Sequence, residues 1–271
     1  MITALPRIAI AMADYEGAVD MFRTTFGLPV LDFSPDTVPS LGAHVGMCMP
    51  PGGSNIELMA PANPELPLSQ ALQKFLDVRG EGFYAVMLEA PEPNAEAADL
   101  LDRGVEVLPL MAGAGGRDIH PRSTHGILIR VYPNDSVTPR PDLRSEAPGL
   151  SGIGRAIVAT EDAAKAAFTY GRGLGLTVDQ PVEDAARGVL SVRCRAPKGG
   201  DIELVSVVDA AQPFGSAIAA HLAERREGLY AIELTAPDRD AAVATLVQRG
   251  LVAGGIDGRE FDVFGARILI A

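Results

Sequence analysis

Residues able to do acid–base or ionic chemistry recur in this sequence at one fixed displacement. Glu57 and Glu203 lie 146 residues apart, and so do Arg103 and Arg249. Gly82 and Gly228, which close Arg79-Gly-Glu-Gly82 and Arg225-Arg-Glu-Gly228, keep the same spacing. An offset held over so long a span marks an internal duplication. Glutamates in such places could act as bases, and arginines could grip an anion through paired N–H donors. His120 and His125 share a loop and could shuttle a proton, although the plainer role of a loop histidine is to brace a turn. His44 could face either side of its strand.

The elements that must position these residues also repeat. Arg7-Ile-Ala-Ile-Ala-Met12 alternates as a strand, with Ile8, Ile10 and Met12 on one face and Arg7, Ala9 and Ala11 on the other. Asp14 can cap a helix whose apolar side is Ala18, Val19, Phe22 and Phe26, closed by Gly27. Strands follow at His44–Met49 and Asn55–Met59. A connector with a short helix, Ser69 to Leu76, then leads to a second round: strand 83–88, helix 94–102, and strands near 105–110 and 127–132. Residues 136–149, with Pro139, Pro141 and Pro148, read as a linker. The pattern predicts an α+β protein of four βαβββ modules. The first domain is 1–135 (modules 5–60 and 80–133) and the second is 150–271 (modules 152–207 and 226–271).

Composition narrows the function classes. A formal charge of −12 with no basic cluster argues against nucleic acid or an anionic membrane as partner. Met1-Ile-Thr-Ala-Leu-Pro6 carries no basic region before an apolar stretch, so a cytoplasmic location is expected. Cys48 and Cys194 occupy equivalent places. Two buried thiols are the plainer expectation, with a disulfide the other reading. A homodimer is left open.

Four stretches resemble the vicinal oxygen chelate superfamily, the glyoxalase, bleomycin-resistance and dioxygenase group, in its tandem two-domain form. They are Arg7–Leu28, Asn55-Ile-Glu-Leu-Met-Ala-Pro61, Arg79-Gly-Glu-Gly82 and His120–Ile129, and their likeness is nearest to methylmalonyl-CoA epimerase. The resemblance implies two cupped sheets, each holding a divalent metal on side chains of its strands. Carried onto this chain, the ligand places are Arg7, Glu57, Ala85 and Arg130. In the second half they are Arg155, Glu203, Ala231 and either Arg267 or Leu269. Arginine offers only donors and alanine offers nothing, so no metal and no other cofactor is expected.

Strand parity puts Arg7, Glu57, Ala85, Met87 and Arg130 on the concave face implied by the resemblance. The same parity selects Arg155, Glu203, Ala231, Glu233 and Arg267 in the second half, and sends Tyr84 and Tyr230 to the helix-covered side. Two guanidiniums against one carboxylate leave a local positive excess in the first cup, suited to a carboxylate, enolate or thioester ligand. A structural ion pair is the competing reading. Where the epimerase keeps its second base, this chain has Val38-Pro-Ser-Leu-Gly42, without a carboxylate. The resulting expectation is a metal-independent protein binding a small anionic molecule in the first cup. It would be an isomerase, lyase or hydrolase in which Arg7 and Arg130 stabilise an enolate or oxyanion, with Glu57, His120 and His125 as catalytic candidates and His44 and Met87 as further contacts. The alternative is a non-catalytic binding protein of the bleomycin-resistance type.

Overall fold

A computed structural model describes residues 1–34, 41–111, 113, 115–138 and 140–271. Most of the Val38–Gly42 segment lies outside these residues, as does Pro139. The first sheet contains β1 (Ala4–Ala11), β2 (Val30–Asp32), β3 (Ala43–Cys48), β4 (Asn55–Pro61), β5 (Gly82–Ala90), β6 (Arg117–Ile119) and β7 (Leu128–Pro133), in the order β2-β3-β4-β1-β5-β7-β6. The second contains β8 (Ile153–Ala159), β9 (Thr177–Val178), β10 (Val182–Asp184), β11 (Val189–Arg195), β12 (Asp201–Val207), β13 (Gly228–Leu234), β14 (Glu260–Val263) and β15 (Ala266–Ile270). Its order is β10-β11-β12-β8-β13-β15-β14, with β9 beside β11. Each sheet joins two modules through a central antiparallel pair, β1 with β5 and β8 with β13. The protein is thus two tandem cupped-sheet domains built from four modules.

The second and fourth modules depart from the expected element count. Residues 105–110 do not form a strand and contribute only a bridge, Val107 to Ile119. Gly254 to Glu260 is the matching bridge in the second half.

Helices α1 (Tyr15–Asp20), α3 (Pro93–Asp102), α4 (Ala163–Phe168) and α6 (Arg239–Gln248) pack on one side of the sheets. Asp14 caps α1 by accepting from the Gly17 N–H at 2.9 Å, and a π-helical turn, Met21–Thr25, carries the chain on to Phe26. The apolar parity of the strands goes to this side. Ile8, Ile10, Ile56, Leu58, Val86 and Leu88 share one continuous core with Ala156, Val158, Ile202 and Leu204 of the second sheet. Cys48 and Cys194 are buried in that core as free thiols.

Helix α2 (Pro67–Arg79), longer than the Ser69–Leu76 helix expected in the connector, and helix α5 (Pro213–Arg225), which the sequence reading did not place, do something different. Each lies across the concave face of its own sheet. Leu68 and Leu72 pack on Ala9, Ala11, Met59 and Met87, while Ile218 packs on Ile157, Ala159 and Val205. The concave faces are small and apolar enough, through those alanines, to admit a helix.

The register of each central strand pair shifts at two places, and one of the two in each sheet falls at a tyrosine. The register between β1 and β5 shifts at Tyr84, and that between β8 and β13 shifts at Tyr230. A bulge places two successive residues on the same face. Tyr84 and Ala85 therefore both join the concave cluster, as do Tyr230 and Ala231, and the tyrosines do not face the helix-covered core as parity predicts.

Candidate functional site

The two concave faces are built alike and filled differently. In the first, Arg7 on β1 donates from Nε to Glu57 Oε2 on β4 at 3.0 Å. Its Nη1 donates to Ser136 Oγ at 2.8 Å, and Ser136 in turn donates from N and Oγ to Glu89 Oε1. Arg130 on β7 donates to Asp118 on the neighbouring β6, with Nη2 to Oδ2 at 2.6 Å. The Tyr132 ring lies 4.5 Å from the Arg7 guanidinium carbon and 6.0 Å from that of Arg130. Both arginine side chains are only 5% exposed.

These pairs overturn the expected positive excess. Asp118 and Glu89 add two carboxylates that the sequence reading did not enlist, so two guanidiniums face three acids. Burial alone would make Arg130 easier to deprotonate, but the Asp118 hydrogen bond and charge, with Tyr132, hold it firmly protonated. The same balance of burial against Glu57 applies to Arg7. With α2 laid over it and both guanidiniums paired, the first cup is a packed core. Ser136 also shows that the 136–149 segment helps to close this cup.

In the second sheet the ladder registers fix which residues correspond. Met87 pairs with Arg130, and Glu233 pairs with Leu269. Leu269, not Arg267, therefore stands at the place of Arg130; Arg267 stands at that of Leu128, and Ala271 at that of Tyr132. The two bulkiest fillers of the first cup are gone. At the same time apolar positions become polar: Leu41 becomes Arg187, Val45 becomes Ser191, Met87 becomes Glu233, and Phe75 becomes His221.

A cavity of about 420 Å³ opens as a result, lined by Arg155, Arg187, Glu233, Phe214, Tyr230 and Leu269 among others. That volume suits a small ligand. Glu203 anchors its floor, accepting from Arg187 Nη1 at 2.7 Å, Ser191 Oγ at 2.7 Å and Arg155 Nη1 at 3.4 Å. Burial would raise the Glu203 carboxyl, but the Arg187 hydrogen bond and charge, Ser191 and Arg155 together hold it below its ordinary value. It is ionised and spoken for. Arg155 and Arg187 remain 26% and 30% exposed, against 5% for Arg7, so their unused N–H groups can meet a ligand.

Glu233 is held more loosely, with Arg155 Nη1 at 3.7 Å. Arg187 lies over the Phe214 ring at 4.2 Å, and Arg267 lies over Tyr230 at 4.1 Å with its Nε 2.6 Å from Glu260.

The histidines singled out from the sequence lie elsewhere. His120 caps a short 3-10 turn, its Nδ1 accepting from the Arg122 N–H at 3.0 Å. His125 stands at φ +54 and meets Glu227 of the second half at 3.0 Å. His44 is exposed and stacks on Tyr15 of α1, centroids 5.1 Å apart, away from the concave face. None of the three joins Glu57. Met87 does lie in the first cup, buried against α2. Arg187, Phe214, Asp257, Arg259 and Glu260 are cavity residues that sequence reasoning missed, and Tyr230 is one that it placed on the other face. The 146-residue offset itself could have found Arg187 and Phe214, as changes from Leu41 and Leu68.

Residues 7–120 match the family model described as Glyoxalase/Bleomycin resistance protein/Dioxygenase superfamily. The likeness to a domain of this superfamily is thus carried by residues 7–120. A 4-hydroxymandelate synthase variant from Streptomyces coelicolor shares the glyoxalase fold over 93% of this chain and 76% of its own, with TM-score 0.64 and 14% identity. Methylmalonyl-CoA epimerase of the same organism, crystallised with 2-nitronate-propionyl-CoA, is 26% identical over 51% of this chain and 98% of its own, with TM-score 0.42. The epimerase of Mycobacterium tuberculosis is 25% identical over 52% of this chain and 91% of its own, with TM-score 0.41. No curated protein matches significantly.

The divalent metal implied by the superfamily does not fit these residues. In the first cup Arg7 and Arg130 present N–H donors to Glu57 and Asp118, where a metal would need lone pairs. In the second, Arg155 and Leu269 occupy the corresponding places. Among the described residues, no three His, Cys, Asp or Glu side chains converge. Likewise, no described helix is long and apolar enough to cross a membrane.

Proposed function

We propose that the protein binds a small molecule in the cup of its second half, with Arg155 and Arg187 taking a carboxylate or similar acidic group. One observation carries this reading. The positions that plug the first cup are replaced in the second by smaller residues, and the positions around them by polar ones. Drift alone would be expected to close or collapse such a space, because a half-exposed cavity ringed by guanidiniums contributes nothing to stability. Ile157, Leu269 and the rings of Phe214 and Tyr230 supply apolar contact, and the arginines supply orientation.

Chemistry, where it occurs, would then rest on fixed side chains. An enzyme reading is favoured by Glu233, a cavity-lining carboxylate with a single long contact. It is placed to act as a base, while Arg155 would stabilise a developing enolate or oxyanion. That corresponds to an isomerase, lyase or hydrolase, and a protein that only sequesters its ligand is the alternative.

Thermal-shift screening with dicarboxylates, acyl thioesters and cationic drugs tests the reading. An acidic ligand should raise the melting temperature of the wild type and have little effect on Arg155→Ala. A shift equally large in Arg155→Ala and lost in Arg7→Ala would return the site to the first cup and overturn the proposal.

A further inference from the structure

The unpaired charges of the second cup lie on opposite sides of its sheet. Across the strands, the β10-β11-β12-β8 half carries Arg187, Arg155 and Glu203, with Asp184 at its edge a long 3.9 Å from Arg187. The β13-β15-β14 half carries Glu233, Glu260 and Asp257 against Arg267 and Arg259, three anions against two cations. Within each half the tight pairs cancel. Glu203 is taken by Arg187, Glu260 by Arg267, and Asp257 by Arg259. What is left is Arg155 with the spare donors of Arg187 on one side, and Glu233 on the other.

Arg155 and Glu233 themselves meet only at 3.7 Å, beyond hydrogen-bond distance. Their pairing is therefore weak enough for a ligand to replace. Ile157, Phe214 and Leu269 line the same cavity and offer apolar contact and no charge.

A purely anionic ligand would satisfy the arginines and press against Glu233. A purely cationic one would reverse the conflict. From this geometry we infer that the cup takes a small zwitterion with an apolar side chain, its carboxylate on Arg155 and Arg187 and its ammonium on Glu233. The inference rests on the cup of the second half being the binding site, and it narrows that reading to a ligand class. In the low-dielectric setting of a half-closed cavity each matched charge strengthens binding, and each like-charge contact weakens it.

The test is calorimetric titration of the full chain with matched probes. L-Leucine and L-phenylalanine carry both charges; 4-methylpentanoate and 3-phenylpropanoate lack the amine; 3-methylbutylamine and 2-phenylethylamine lack the carboxylate. At least one amino acid should bind tenfold or more tightly than both of its truncated partners. Glu233→Gln should remove most of the advantage over the carboxylate probe. Arg187→Gln should remove the advantage over the amine, and because it also frees Glu203 its folding is checked by circular dichroism, with Glu233→Gln as the independent arm. Equal affinity for the carboxylate and the amino acid overturns the zwitterion while leaving the cup as a carboxylate site. Failure of every probe also overturns it. If the dicarboxylate and thioester panel fails too, the binding reading falls with it.

Discussion

His221 stands edge-on to Tyr230, ring centroids 5.4 Å apart and planes at 80°. Phe75 and Tyr84 make the same contact in the first half, at 5.2 Å and 85°. A titratable ring has thus replaced a hydrocarbon one at an otherwise matched site, beside Arg267 and Arg225. Burial, then the charges of Arg267 and Arg225, push the His221 imidazole down to about 4, against a weak opposing pull from Glu224. The sign follows from linkage. As pH falls below about 6.5 the unfolded chain takes up a proton that the folded state refuses until about pH 4, so stability is lost across that window and levels off below it. His221→Phe should remove this component. Urea midpoints at about pH 7 and about pH 4.5 should diverge less in the variant than in the wild type; equal divergence would mean that His221 is not the titrating group.

Arg7 and Glu57 form a buried pair with no cavity to serve. Removing one partner strands the other charge in the core, at a cost of about 3–5 kcal/mol. Arg7→Met and Glu57→Gln should each lower the denaturant midpoint strongly. The double variant Arg7→Met with Glu57→Leu should recover part of the loss. Ligand-induced stabilisation, where the variants fold, should persist.

Much of this was readable in the sequence, for reasons that also explain what was not. The four modules and the identity of the helix-covered face follow from local periodicity, visible in Ile8, Ile10, Ile56 and Leu58. Asp118 was not enlisted because it lies on a three-residue strand with too few residues to show a period. Glu89 stood on the right strand parity, but its partner Ser136 comes from the expected linker and is brought back only by tertiary structure. Tyr230 was misassigned because a bulge adds a residue without any composition signal. The choice of cup turned on Leu269 against Arg267, which only the β13–β15 register could settle.

Gly126 and Gly265 mark the matched contacts between the halves. A Cβ at Gly126 would lie 1.9 Å from the Glu227 carbonyl oxygen, and one at Gly265 would lie 2.2 Å from that of Glu81. Both residues also have positive φ, +83° and +65°, where a side chain is strained. Backbone cannot yield as a flexible side chain can, so Gly126→Ala and Gly265→Ala should each cost more than about 2 kcal/mol. Calorimetry should show a lowered melting transition for both. A melting temperature within a degree of wild type for either would mean that the halves separate at that contact at little cost.

Leu269→Arg tests the comparison between the cups directly. In the first sheet Arg130 lies across the ladder from Asp118 and pairs with it; in the second, Leu269 lies across from Glu260. An arginine installed there has a carboxylate waiting, although Glu260 would have to share it with Arg267. The new side chain enters a cavity of about 420 Å³ instead of a packed core, so overpacking is avoided. The folded state should be retained, with a change of at most about 1 kcal/mol in denaturant unfolding. Ligand affinity should fall at least tenfold, because the guanidinium occupies the space and adds a cation to it. Full affinity in a folded Leu269→Arg protein would mean that the ligand sits outside this cup, and the functional role of the second sheet would have to be sought at another surface.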